Sequence, residues 1–170
     1  MKAIVLISLL ALSANGFSQQ DTLFLVYQEG TEAPAYINSA GDTIIPAGLY
    51  QMCFTETFVE YAIVVPHYDS EFQAIAINQA GEVLFQVYWY DNGPDYIEEG
   101  RFRIIKNELV GYANEKGEIL IEPKYACADP FEGGKARVTF ACTKVPEGEF
   151  TRIESDSWFY IDLDGNPIQE

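Results

Sequence analysis

Short runs of β-branched and aromatic residues, broken by Gly, Pro, Asn and Asp, fill residues 19–170. Runs of that kind mark strands separated by tight turns. Across Phe85-Gln-Val-Tyr-Trp-Tyr90, the residues Phe85, Val87 and Trp89 fall on one side and Gln86, Tyr88 and Tyr90 on the other, which predicts burial of the first set against a neighbouring element. In Arg101-Phe-Arg-Ile104 the arginines alternate with Phe102 and Ile104, and this predicts a sheet with one wet face. No helical stripe lasts three turns in this region. The expected class is therefore all-β, with little or no helix.

The pattern repeats. Tyr36-Ile-Asn-Ser-Ala-Gly-Asp-Thr-Ile-Ile-Pro46 returns as Ala76-Ile-Asn-Gln-Ala-Gly-Glu-Val-Leu-Phe85, as Tyr112-Ala-Asn-Glu-Lys-Gly-Glu-Ile-Leu-Ile-Glu-Pro123 and as Tyr160-Ile-Asp-Leu-Asp-Gly-Asn-Pro-Ile168. The shared glycines stand at 41, 81, 117 and 165, so the step varies and the unit is not rigid. A second echo follows in order: Asp95-Tyr-Ile-Glu-Glu-Gly-Arg-Phe-Arg-Ile104 matches Asp129-Pro-Phe-Glu-Gly-Gly-Lys-Ala-Arg-Val138, and Phe58-Val-Glu-Tyr-Ala-Ile63 holds the same place without its glycine. Each unit predicts a strand, a tight turn, a strand, a looser passage and another strand. The glycine supplies positive φ at the turn, and Asn38, Asn78, Asn114 and Asp162, three residues earlier, offer a side-chain oxygen to nearby backbone N–H groups. About four units form one antiparallel array of tandem β-hairpins. Residues 143–157, with a Pro-Glu-Gly-Glu stretch and weak alternation, predict an insertion or extended loop before the last hairpin.

The N-terminal residues differ. Lys2 is followed by an apolar run, Ala3 to Leu12, and then by small and polar residues up to Ser18. That is the pattern of a signal peptide over residues 1–18, cleaved after Ser18, and it predicts an exported mature domain over residues 19–170, periplasmic or extracellular. The run is too short to span a bilayer, for which about 20 apolar residues are needed, so no transmembrane segment is expected in the mature chain. Formal net charge is -16. A field of that sign excludes nucleic acid as the expected partner and favours basic ones. Cys53, Cys127 and Cys142 leave two readings open: a Cys127–Cys142 disulfide with one thiol over, or three small buried hydrophobes.

These echoes resemble the WG-repeat family, also called KWG repeats. Its unit has Trp-Gly-Tyr-Ile-Asp, a Gly-centred turn, a Val/Ile-rich strand with a proline, then Tyr and a Phe-x-Glu-Gly-x-Ala-x-Val tail. Unit three matches in order through Val110-Gly111-Tyr112-Ala113-Asn114, Gly117, Ile119 to Pro123, Tyr125 and Phe131 to Val138, with Val110 at the tryptophan position. Unit four keeps the tryptophan in Trp158-Phe159-Tyr160-Ile161-Asp162 and replaces its glycine by Phe159. The resemblance implies a non-catalytic array of β-hairpin units, often in exported or surface proteins, with no shared catalytic constellation to carry over.

The residues point the same way. His67 is the only histidine and has no nucleophile elbow beside it. The cysteine spacings do not match a metal site. Asp162-Leu-Asp-Gly-Asn166 resembles part of a calcium loop but lacks its later ligands, and Ala40, Ala80 and Lys116 stand where Asp164 does. No catalytic, metal or cofactor residue is assigned, and no cofactor is expected. The aromatic stretch around Tyr88, Tyr90 and Tyr96, beside Asp91-Asn-Gly-Pro-Asp95, is the candidate ligand or partner surface. Three classes follow: a module for protein–protein recognition or scaffolding; a carbohydrate-binding module at the cell envelope, needing those tyrosines in a flat row; and a small hydrolase using Glu98, Glu99 or Asp129. The first is favoured, acting as a monomer on an unidentified protein partner, with envelope polysaccharide as the alternative.

Overall fold

The computed structural model describes residues 21–67, 73–148 and 150–169. The expected signal peptide, and Tyr68 and Asp69 beside His67, lie outside them. The described chain is all-β, with antiparallel pairing throughout and no helix.

Unit one contains β1 (Leu23–Gln28), β2 (Ala33–Ile37), β3 (Thr43–Ile45), β4 (Tyr50–Cys53) and β5 (Thr57–Phe58). Unit two contains β6 (Ala62–Pro66), β7 (Ile75–Ile77), β8 (Val83–Val87), β9 (Trp89–Tyr90) and β10 (Gly93–Pro94). Unit three contains β11 (Arg101–Lys106), β12 (Leu109–Asn114), β13 (Ile119–Tyr125) and β14 (Cys127–Ala128). Unit four contains β15 (Lys135–Thr139), β16 (Thr143–Glu147), β17 (Phe150–Glu154) and β18 (Phe159–Asp162). The first strand of each unit pairs with the second in β1–β2, β6–β7 and β11–β12, and across the insertion in β15–β18. The second pairs with the third in β2–β3, β7–β8 and β12–β13, and in unit four an Ile161–Pro167 bridge takes that place. Three further pairings, β4–β6, β8–β11 and β14–β15, sew each unit to the next.

One turn closes every second-to-third connection. Asn38 Oδ1 accepts from the N–H of Ala40 at 3.0 Å and of Asp42 at 2.8 Å; Asn78 and Asn114 repeat both bonds, as does Asp162 with Asp164 and Asn166. Gly41, Gly81, Gly117 and Gly165 carry φ of 89, 76, 78 and 81°, a region open to glycine and costly for branched side chains. The side-chain amide of each Asn also donates to the acid four residues on, Asp42, Glu82 or Glu118. Unit four reverses the pair: Asn166 Nδ2 donates to Asp162 Oδ2 at 3.2 Å. Backbone donation from Asn166 holds the Asp162 carboxyl below its ordinary pKa.

Stacking the units buries three apolar layers. Leu23, Tyr36, Ile45 and Phe58 of unit one meet Ala62, Val64, Ile75 and Ile77 of unit two. On the other face of the same strands Val65, Ala74 and Ala76, with Phe85 and Val87, meet Phe102, Ile104 and Ala113. Val110, Tyr112, Ile121 and Tyr125 then meet Ala136, Val138 and Ile161. The middle units are thus covered on both faces, and the expected wet face is absent there. Two tyrosines at the same repeat position work alike. Tyr36 donates its hydroxyl to Thr55 O at 2.8 Å and Tyr112 to Asp129 O at 2.7 Å, and each ring meets a phenylalanine edge-on, Phe58 at 5.0 Å and Phe131 at 4.8 Å. Burial pushes both hydroxyls far above the usual tyrosine range, so they remain donors.

Residues 143–157 are not a loop. They fold into the β16–β17 hairpin, paired from Thr143–Glu154 to Glu147–Phe150. Its base is clamped twice. Cys142 is bridged to Cys127, with Cα atoms 6.2 Å apart, while Cys53 is free. Thr139 Oγ1, fully buried, bonds Ala141 O at 3.0 Å and the hydroxyls of Ser155 and Ser157.

Gly111 explains one fixed feature of the unit. A Cβ there would lie 2.6 Å from Pro123 N and would collide with Ile121 O, because β13 shifts register against β12 at that point. Phe159 stands at the same place in unit four, where the Ile161–Pro167 bridge replaces a paired third strand and the ring packs against Tyr125 and Phe140. Gly111→Ala is expected to destabilise by about 1–3 kcal/mol, as overpacking does, and Gly93→Ala, with open space around it, to be neutral or stabilising; urea unfolding reads both. The same assay on Cys127→Ser/Cys142→Ser should give a loss of about 3 kcal/mol from loop-closure entropy.

Candidate functional site

After its third strand each middle unit runs through a tail that turns back into the next unit. The tails close with the Glu98–Arg101 and Glu132–Lys135 bridges. Their central residues, Glu99 and Gly100, and Gly133 and Gly134, all have positive φ, the requirement of a two-residue type I′ turn. Glu99 is also a tie between tails, since its carboxylate accepts from the Gly134 N–H at 3.0 and 3.2 Å.

Each tail starts with an aspartate that meets an arginine on the following strand. Asp95 pairs with Arg103 at 2.5 Å and Asp129 with Arg137 at 2.8 Å. Unit one has Thr55 at this place, and its Oγ1 accepts from Ile63 N at 2.9 Å just as Asp95 Oδ2 accepts from Arg103 N at 2.8 Å. The Asp95–Arg103 pair is buried, with Arg103 4% exposed, which corrects the expectation that both arginines face water. Alternation puts Arg103 opposite Ile104, but the next unit covers that side too. The guanidinium lies 4.0 Å over the Tyr88 ring and 5.5 Å over Tyr90, and Nη1 donates to Ala128 O at 3.1 Å. Burial alone would lower the Arg103 pKa; the hydrogen bonds and charge of Asp95 outweigh it and raise it.

The three candidate tyrosines separate. Tyr88 is half-buried under Arg103 and packs against the layer shared by units three and four. Tyr90 and Tyr96 are exposed, at 49% and 57%, with ring centroids 6.0 Å apart and planes at 78°. This is an edge-to-face pair, not the flat row that a sugar platform needs. Together they line a cleft of about 480 Å³ between the two tails, with Asp95, Glu98, Asp129, Pro130, Phe131 and Glu132. A second cleft of about 370 Å³ follows one unit on, lined by Asp129, Pro130, Glu132, Lys135, Arg137 and Tyr160.

The acids considered for hydrolysis are mostly committed elsewhere. Glu99 holds Gly134, and Asp129 accepts from Arg137 Nε at 2.8 Å; Glu98 remains in the cleft. His67 is exposed at the end of β6. The Asp162 carboxylate is taken up by its own turn. Sequence reasoning missed Glu132 and Arg103, although the Asp-to-Arg spacing shared by both tails pointed to Arg103 and the echo of Glu98 pointed to Glu132.

A family model of the WG containing repeat matches residues 111–140. The matched stretch begins at the crowded Gly111, passes through the Asn114 turn and β13, and ends beyond the second tail. The resemblance drawn from the sequence rests on the same residues. No curated protein and no solved structure matches the chain.

Removing one member of the buried pair strands the other without water. Arg103→Met or Asp95→Asn should each cost about 3–5 kcal/mol in chemical denaturation, and the double Arg103→Met/Asp95→Leu should cost less than their sum. Additive losses would show that the pair is not a unit.

Proposed function

We propose that this chain is an exported, non-catalytic repeat module whose work is protein–protein recognition or scaffolding. The observation that carries the reading is the cleft between consecutive tails. Two exposed aromatic rings stand beside carboxylates there, on a scaffold whose other large rings are mostly spent on stacking. Exposed tyrosine beside polar groups is the composition of interface centres. Type I′ turns tied together by Glu99 carry the cleft's Glu98 and Glu132, so those groups are preorganised and little ordering entropy is lost on binding them. The match of residues 111–140 to a repeat, and the commitment of Glu99 and Asp129 to structural bonds, favour recognition over hydrolysis. An N-terminal segment with the features of a signal peptide supports work outside the cytoplasm.

The test places a photo-crosslinking residue at position 96 of the full-length chain in its native cells, with position 29, exposed on the β1–β2 turn of unit one, as control. The expected outcome is a protein adduct specific to position 96, on a chain whose mass shows cleavage after Ser18. An adduct with polysaccharide alone, or none above the control, sinks the recognition reading.

A further inference from the structure

Resting on that recognition reading, we propose that the Tyr90–Tyr96 cleft receives a lysine or arginine side chain from an extended segment of the partner protein.

The molecule supplies its own template. Arg103 is held between the Tyr88 ring and the Asp95 carboxylate, and Arg137 between the Trp158 ring, 4.4 Å away, and Asp129. A cation bracketed by a ring face and a carboxylate is thus the solution used twice here. Position by position, the lining of the second cleft repeats the tail residues of the first: Asp129 for Asp95, Pro130 for Tyr96 and Glu132 for Glu98. Lys135 and Arg137 also line that second cleft, and Lys135 Nζ lies 4.4 Å over the Tyr160 ring. No lysine or arginine lines the first cleft among the described residues; Arg103 engages Asp95 and Tyr90 from beneath and Arg101 lies over Phe131, so Tyr96, Glu98 and Glu132 are the lining groups that no cation of the described chain meets. Neither Glu98 nor Glu132 has an ion pair among the described residues.

Charge complementarity selects the occupant. A chain of net charge -16 attracts a basic segment and repels an acidic one, and a partner cation here gains a ring contact as well as carboxylates. The field brings the segment in, and the ring with Glu98 and Glu132 fixes one side chain of it.

The experiment titrates the isotopically labelled full chain, by NMR, with a capped Gly/Ser nonapeptide carrying one central arginine, and with a twin carrying neutral citrulline. At about physiological salt, where exposed charges beyond roughly 8 Å are screened, amide shifts should concentrate at Tyr96, Glu98 and Glu132. Citrulline should bind more weakly than arginine. Tyr96→Leu should weaken the arginine peptide about two- to fivefold, the measure of one exposed cation–π contact. Glu98→Gln/Glu132→Gln should weaken it further, and Glu29→Gln/Glu32→Gln, which removes the same charge at the exposed β1–β2 turn of unit one, should not. Shifts spread over the acidic surface, equal loss in the two glutamate pairs, or equal binding of citrulline would overturn the proposal. A protein adduct at position 96 with no local arginine shift would sink the cation and leave the recognition reading; the reverse result would sink that reading and keep the cation site.

Discussion

A single carboxamide or carboxylate oxygen, set three residues before a glycine, decides most of what this molecule is. It gathers two backbone N–H groups into one turn, and so fixes where the second strand of each unit stops and the third begins. With that point fixed, strand register follows, and with register the choice of which side chains face the preceding unit and which face the next. The four turns differ in their neighbours but not in this oxygen. Units one to three place the carboxamide first and the acid four residues later; unit four exchanges them, and the turn is the same because the bonded set has only changed direction.

Stacking then sets the second constraint. A sheet flanked by units on both sides has no solvent face, so polar groups on its inner strands must bring partners with them. Arg103 does this with Asp95, two ring faces and a carbonyl of the following segment. The equivalent Arg137–Asp129 pair, at the last unit, keeps its partner and its ring but stays partly wet. The same residue pair is therefore a core element in one unit and a surface element in the next, and only its place in the stack distinguishes them.

What could be read from the chain alone was whatever depends on near neighbours. The turn glycines, the capping Asn and Asp side chains and the order of the two echoes are local, and they delivered the all-β repeat. The side of a strand that faces another unit is not local. Alternation separated Arg103 from Ile104 correctly and still left its environment unknown, because a period of two cannot say whether the second face is covered. The tyrosines fail for the same reason: Tyr88 and Tyr90 share a side, but only Tyr88 lies directly beneath the guanidinium. The β16–β17 hairpin escaped because its strands are exposed along most of their length. With little apolar side to bury, they carry no pattern to detect.

That hairpin grows from the connection between the first and second strands of unit four, a place where unit three needs only Asn107 and Glu108. A whole two-stranded element stands there, yet β15 and β18 keep the pairing found in every other unit. The disulfide and the threonine–serine cluster anchor its base to the stack. The first-to-second connection is thus a port through which evolution, or an engineer, can splice new sequence into the array while leaving its layers in place. The type I′ turn at Asn107–Glu108 is an equivalent port still at its minimum length.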